Sequence, residues 1–327
     1  MTLLLACIAI GALMPLQTAI NSRLRLALGS PFTASFASFL IGASGLALAL
    51  LALEGPGATL AALSAAAGAP WWQWIGGLLG VVLLTTNIFA FAHLGGVETA
   101  LWPILGSIVS SLAVDAFAWF GAHYRPLTVL RALGALAVLI GVALASGVAS
   151  GGLRRSPAMP ALDPATAWAW RIGAFVAGTG GAIQGAVNGA LGQTIGAPLP
   201  AALVSFLVGT ASIGVVTVAA LALGPRSVDE GGARPTPELG GRASRLRGPA
   251  WMWIGGLFGA LFVAVMTHSV PRIGVGPANV ASLAGLTLAS LAVDEYGLFE
   301  APRKPVGRWQ IAGVLLVLGG VMGVQFG

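Results

Sequence analysis

Apolar residues run through this chain in blocks of about 20, separated by short polar stretches, and polar positions within the blocks are few. A block of that length crosses the hydrocarbon core as an α-helix, whereas a membrane β-barrel shows segments of roughly 10 residues that alternate in polarity. The pattern predicts ten spans, at about 2–22, 31–53, 72–94, 97–120, 128–148, 169–191, 199–223, 251–271, 275–299 and 308–326. Two longer polar stretches interrupt them. One is a linker over 151–167; the other is a Gly-, Pro- and Arg-rich loop, expected to be disordered over about 225–249. The opening block "MTLLLACIAIGALM" lacks the basic n-region of a signal peptide, so it is expected to be a retained span.

The rare polar positions repeat. "LQTAIN" at Leu16–Asn21 matches "IQGAVN" at Ile183–Asn188, and at the same offset of 167 Pro31 meets Pro198, Ser38 meets Ser205 and Gly42 meets Gly209. After the second span the offset becomes 179: "WQWIGGLLG" matches "WMWIGGLFG", Asp115 meets Asp294, Pro126 meets Pro305 and Gly134 meets Gly313. Each half, 1–150 and 168–327, therefore reads as one five-helix unit. Five is odd, so the second unit enters the membrane inverted relative to the first, the arrangement of many secondary transporters. The expected fold is an all-α polytopic membrane protein of ten transmembrane helices in two inverted five-helix repeats.

Composition excludes a soluble domain. The chain is 57% hydrophobic and 8% charged, with mean hydropathy +0.92, where soluble domains carry roughly 25% charged residues. A net charge of +6 would suit nucleic acid, but the basic residues sit in loops, where membrane orientation accounts for them. Of 16 Lys and Arg residues, 13 fall on the side of the odd-numbered loops; only Arg125, Arg131 and Arg272 fall on the other. This bias predicts that both termini lie outside the cytoplasm. The single cysteine, Cys7, excludes an intramolecular disulfide.

The five-helix units, the Q-x-x-x-N of the first helix, the W-x-W-x-G-G opening of the third and S-L-x-x-D late in the fourth resemble the YdcZ-type branch of the drug/metabolite transporter superfamily. The resemblance covers both halves and implies a fused two-unit inner-membrane exporter. Members often carry Gln after the glycine of span four and His after the aspartate. Here Ser107 follows Gly106 and Ala116 follows Asp115; Leu286 follows Gly285 and Glu295 follows Asp294.

Candidate pathway residues follow from polarity inside the blocks. Gln17 and Asn21 share one face of span one, and Gln184 and Asn188 repeat them on span six. Neutral amides bind polar solutes without a buried charge, and equally serve as interhelical hydrogen-bond links. Asn87, His268 and Trp102 are further pathway candidates. The stripes Ala34-Ser38-Gly42 and Ala201-Ser205-Gly209 read as packing faces. Asp115 and Asp294 each end a "SLAVD" segment about five residues before a span ends, so each lies near one membrane face. An aspartate at mid-bilayer costs about 2.5–3.5 kcal/mol on insertion scales, less near a helix end. They read either as snorkelling carboxylates paired with Arg125 and Arg303, or as matching gates that also couple protons. Glu98 reads first as a carboxylate favoured at the positive start of span four, and second as a further candidate proton carrier.

With no P-loop, a small solute exported by alternating access on a proton gradient is the leading expectation; a passive channel and a non-transporting assembly protein are its rivals. His93, His123 and His268 form no metal-ligand spacing, and no nucleophile–base pair is visible, so neither enzyme activity, metal nor cofactor is expected. The expected partners are the bilayer and a small solute, with the chain a monomer or homodimer.

Overall fold

The computed structural model describes residues 1–94, 96–148, 163–223, 249–296 and 306–327. The predicted disordered loop and most of the 151–167 linker lie outside these residues. Regular structure among the described residues is entirely helical: α1 Thr2–Gly11, α2 Leu13–Leu28, α3 Pro31–Ala67, α4 Gly76–Leu94, α5 Gly96–Phe117, α6 Val129–Ala145, α7 Pro164–Ile195, α8 Pro198–Leu223, α9 Gly255–Ile273, α10 Val275–Tyr296 and α11 Arg308–Phe326. Single 3-10 turns at Trp71–Trp74 and Ala250–Trp253 lead into α4 and α9.

Seven described helical stretches are long and apolar enough to cross a bilayer: Thr2–Leu28, Pro31–Ala67, Glu98–Phe117, Pro198–Ala222, Ala250–Ile273, Val275–Val293 and Arg308–Phe326. Gly76–Asn87 and α6 are apolar but shorter. The 32-residue α7 is long enough, but Arg171, Thr179, Gln184, Asn188 and Gln193 lower its apolarity. Length and apolarity thus account for seven of the ten predicted spans. Leu48, Leu53, Val215, Leu221 and Leu315 point outward and are exposed, as lipid-facing residues of a multi-pass membrane protein are.

Two boundaries differ from the sequence pattern. The first span is divided at Ala12, because Pro15 has no N–H to give the Gly11 carbonyl, and the ladder is interrupted one turn earlier. Ala12 keeps right-handed helical angles, so the chain continues into α2. The second span was expected to end near 53. Instead α3 turns at Gly55, whose φ of 79° only glycine adopts easily, and restarts at Pro56 to run through an Ala-rich segment to Ala67.

Close backbone approach holds the helices together. On α3 and α8, a Cβ at Gly42 would overlap the Phe206 ring and one at Gly209 would lie 2.5 Å from Phe39, and those two rings sit 5.2 Å apart. α6 and α11 cross through Gly134 and Gly141 against Gly320 and Gly313; a Cβ at Gly141 would lie 2.6 Å from the Gly313 carbonyl oxygen. Without a hydrophobic driving force in lipid, such small-residue contacts supply the packing energy. Leu4, Cys7, Ile108, Val114, Val138, Val280 and Val321, on α1, α5, α6, α10 and α11, belong to one buried apolar cluster.

Candidate functional site

The four amides do not form one pocket. They lie in two helix seams. Asn21 of α2 faces Gly255 of α9, and Asn188 of α7 faces Gly76 of α4, so closely that a Cβ on either glycine would overlap the amide oxygen. A glycine hydrogen therefore points at each Oδ1, a weak C–H···O contact common at helix crossings. Both Oδ1 atoms are buried and lack any other hydrogen-bond partner. One turn away, a Cβ at Gly259 would lie 2.6 Å from Gln17 Nε2, and one at Gly80 would lie 2.9 Å from Gln184 Nε2. Asn87 on α4 is separate, with its Oδ1 buried and unpaired.

Asp115, near the end of α5, is fully buried. Its Oδ1 accepts the Val275 N–H at 2.8 Å, and its Oδ2 accepts the Gly276 N–H at 3.0 Å and Arg131 Nη2 at 2.9 Å. The first two donors are unused N–H groups at the start of α10, where the helix dipole also favours a negative charge. Gly274, with φ 94°, lets the α9–α10 turn approach; a Cβ there would lie 3.0 Å from Asp115 Oδ2. The expected partner Arg125 makes no ion pair with the carboxylate: its backbone N–H donates to the Asp115 carbonyl at 2.9 Å, while its guanidinium donates to the Ile273 carbonyl. Arg131, one turn into α6, is the true partner, and it also donates to the Arg125 and Pro126 carbonyls at 2.9 and 3.1 Å. A snorkelling carboxylate is thereby replaced by a dry, charge-paired one. Between Asp115 and Arg125, Ala118 and Phe120 hold φ of 52° and 56°, a left-handed region uncomfortable for side-chain-bearing residues.

Two groups were overlooked in the sequence for their roles here. In the sequence Arg131 is only one of the sparse basic residues on its side, and nothing there singles out Ser107 as the partner of Asn279. Asn279 Nδ2 donates to Ser107 Oγ at 2.8 Å, so α10 grips α5 one helical stretch before Asp115, at the very position where the family resemblance expects Gln.

At the other end of α5, Glu98 is bound in a fork by Arg171 of α7, with Nε–Oε2 at 2.6 Å and Nη2–Oε1 at 3.0 Å. The Arg171 guanidinium lies 5.1 Å from the centre of the Trp168 ring, which meets Trp102 edge-on at 5.7 Å. His93 stacks on Trp170 at 4.3 Å. Trp102 thus belongs to this aromatic and ionic cluster. His268 is half-buried on α9, and its carbonyl and Nδ1 both face Arg272 Nη1, the latter at 3.2 Å. Asp294 lies in α10, but its side chain, like Arg303, is outside the described residues.

α5 therefore carries a carboxylate near each end, and each is fastened to a helix from the other half of the chain. Such contacts can hold two halves together and can be broken one at a time. No curated protein matches the chain. The model of a membrane-protein family described as "Putative inner membrane exporter, YdcZ" matches residues 2–144 and again 169–323, and the chain belongs to that family.

Proposed function

We propose that this protein is a secondary transporter that exports a small solute by alternating access between two inverted five-helix repeats, 1–150 and 168–327, within ten spans. The observation that carries this reading is the buried Asp115. It joins the end of α5 in the first half to the start of α10 in the second, through bonds that must part if the halves move. The inverted arrangement is supported by equivalent contacts at the two sequence offsets. Asn21 on Gly255 mirrors Asn188 on Gly76, and Gln17 on Gly259 mirrors Gln184 on Gly80. The charge bias of the loops favours placing Asp115 at the outer face and Glu98 at the inner one.

In this mechanism the Asp115 cluster seals one face and the Glu98–Arg171 cluster the other. Protonation of Asp115 removes its charge, its ion pair with Arg131 and its attraction for the α10 start, so proton entry and opening are linked. The two amide seams border the moving helices and present neutral polar groups to a solute. Profiling of medium from overexpressing and deletion cells identifies the exported compound. Its transport into vesicles is then measured under an imposed pH gradient, expected to drive uptake at least tenfold in wild type and not in Asp115→Asn. Transport indifferent to both the gradient and the substitution removes the coupling.

A further inference from the structure

A cavity of about 300 Å³ opens where α7 ends, α8 begins and α9 ends, lined by Gly192, Gln193, Gly196, Pro198, Thr267 and Arg272. Thr267 is only 2% exposed, yet its Oγ1 has no hydrogen-bond partner. A buried hydroxyl left unpaired is costly, and a ligand that reaches it relieves that cost. Arg272 is exposed, and among the described residues no carboxylate lies within ion-pair distance of it. Its two bonds, both to His268, use Nη1 alone, leaving the donors on Nε and Nη2. Gly196 closes α7 with φ 80°, and nothing lies within 4 Å of where its Cβ would stand, so the mouth stays open. Pro198 also borders an adjoining open groove of about 280 Å³, with an apolar surface that includes Ala6, Leu199 and Val265, and His268 borders it too.

The polar lining is specific to the second half. At the offsets relating the halves, Gln193 corresponds to Leu26, Thr267 to Ile88 and Arg272 to His93. Shared repeat packing therefore does not explain this combination of one cation without a carboxylate partner, one unpaired hydroxyl and one amide beside an apolar groove.

We propose that this cavity binds a small organic monocarboxylate with an apolar tail, and that this is the class of solute the exporter carries; the assignment rests on the transporter reading above. Arg272 pairs with the carboxylate, Gln193 donates a hydrogen bond to it, rotation of the Thr267 side chain brings the buried hydroxyl to it, and the tail lies in the adjoining apolar groove. A single guanidinium balances a single negative charge, which favours a carboxylate over the roughly doubly charged phosphate.

The test uses the full chain in lipid nanodiscs, with hexanoate as the probe and saturation-transfer NMR as the readout. Lipid partitioning is common to all variants and is subtracted with them. Hexanoate is expected to bind, and its neutral isostere hexanamide at least tenfold more weakly. Arg272→Gln should raise the hexanoate Kd at least tenfold and the near-isosteric Thr267→Val about fivefold. Arg272→Lys, which keeps the charge and controls for folding, should stay within about threefold. Equal binding of hexanoate and hexanamide, an unchanged Kd in Arg272→Gln, or displacement by inorganic phosphate as effective as by hexanoate overturns the proposal. Lost hexanoate binding with gradient-driven transport intact sinks the carboxylate assignment alone. Hexanoate binding with no transport of any profiled compound sinks the transporter reading and leaves a carboxylate site.

Discussion

Both oxygens of the buried Asp115 carboxylate are held, one by a backbone donor and the other by a second backbone donor and a guanidinium. Arg131 in turn is 3% exposed at its side chain and depends on that carboxylate. Removing either partner leaves a buried charge without its counterion, which costs about 3–5 kcal/mol in such settings. Asp115→Asn and Arg131→Gln are each expected to lower stability by about that much in mild detergent. The double variant should lose clearly less than the sum, with a coupling of about 2–3 kcal/mol. Additive losses would show that the pair is incidental. The aspartate was legible in the sequence because a charge stands out in an apolar block. Its partner was not: Arg125 is closer along the chain, but the turn over residues 118–128 folds back and delivers Arg131 instead. Only the tertiary path of that turn decides between them.

The helices themselves were largely legible, since block length and apolar content define them and Pro15 marks the break between α1 and α2. The continuation of α3 was hidden by Gly55–Pro56, which reads as a stop although Pro also starts helices, and the Ala-rich stretch beyond has strong helix propensity. The glycines of the third and eighth spans were visible as motifs, but not the partners they accept. Those partners make a prediction. A Cβ at Gly77 would overlap the Ser205 backbone carbonyl, which cannot yield, whereas one at Gly80 meets only the far end of the Gln184 side chain. Gly77→Ala should therefore destabilise by about 1–3 kcal/mol, as overpacked sites do, and Gly80→Ala by less than about 1 kcal/mol. Gly80→Ala turns the Gln184 amide aside, so a solute contact there predicts at least a fivefold loss of transport in a stably folded variant. Unchanged transport would assign Gln184 to packing.

Over the whole molecule, the two carboxylate contacts proposed as closures sit at opposite ends of one helix. Glu98 and Asp115 are separated by about 26 Å along α5 at 1.5 Å per residue, close to the roughly 30 Å of a hydrocarbon core. The inverted repeat suggests Asp115 and Asp294 as a matching pair; at the offset of 179 Arg131 corresponds to Gln310, two residues after Arg308 at the start of α11. Among the described residues, α5 carries two carboxylates that both reach across to the second half. If they alternate, weakening one must favour the state in which the other stays shut. Thr99 lies beside Glu98 and Ser111 one turn before Asp115, both buried in the present state. In a Cys7→Ser background, Ser111→Cys should react with a water-soluble maleimide about tenfold faster when Asp115→Asn is added, while Thr99→Cys slows. Glu98→Gln should produce the reverse. The opposite signs matter, because a substitution that merely loosens the fold speeds labelling at both ends. Parallel acceleration at both cysteines would show that α5 is a structural tie and that opening is governed elsewhere.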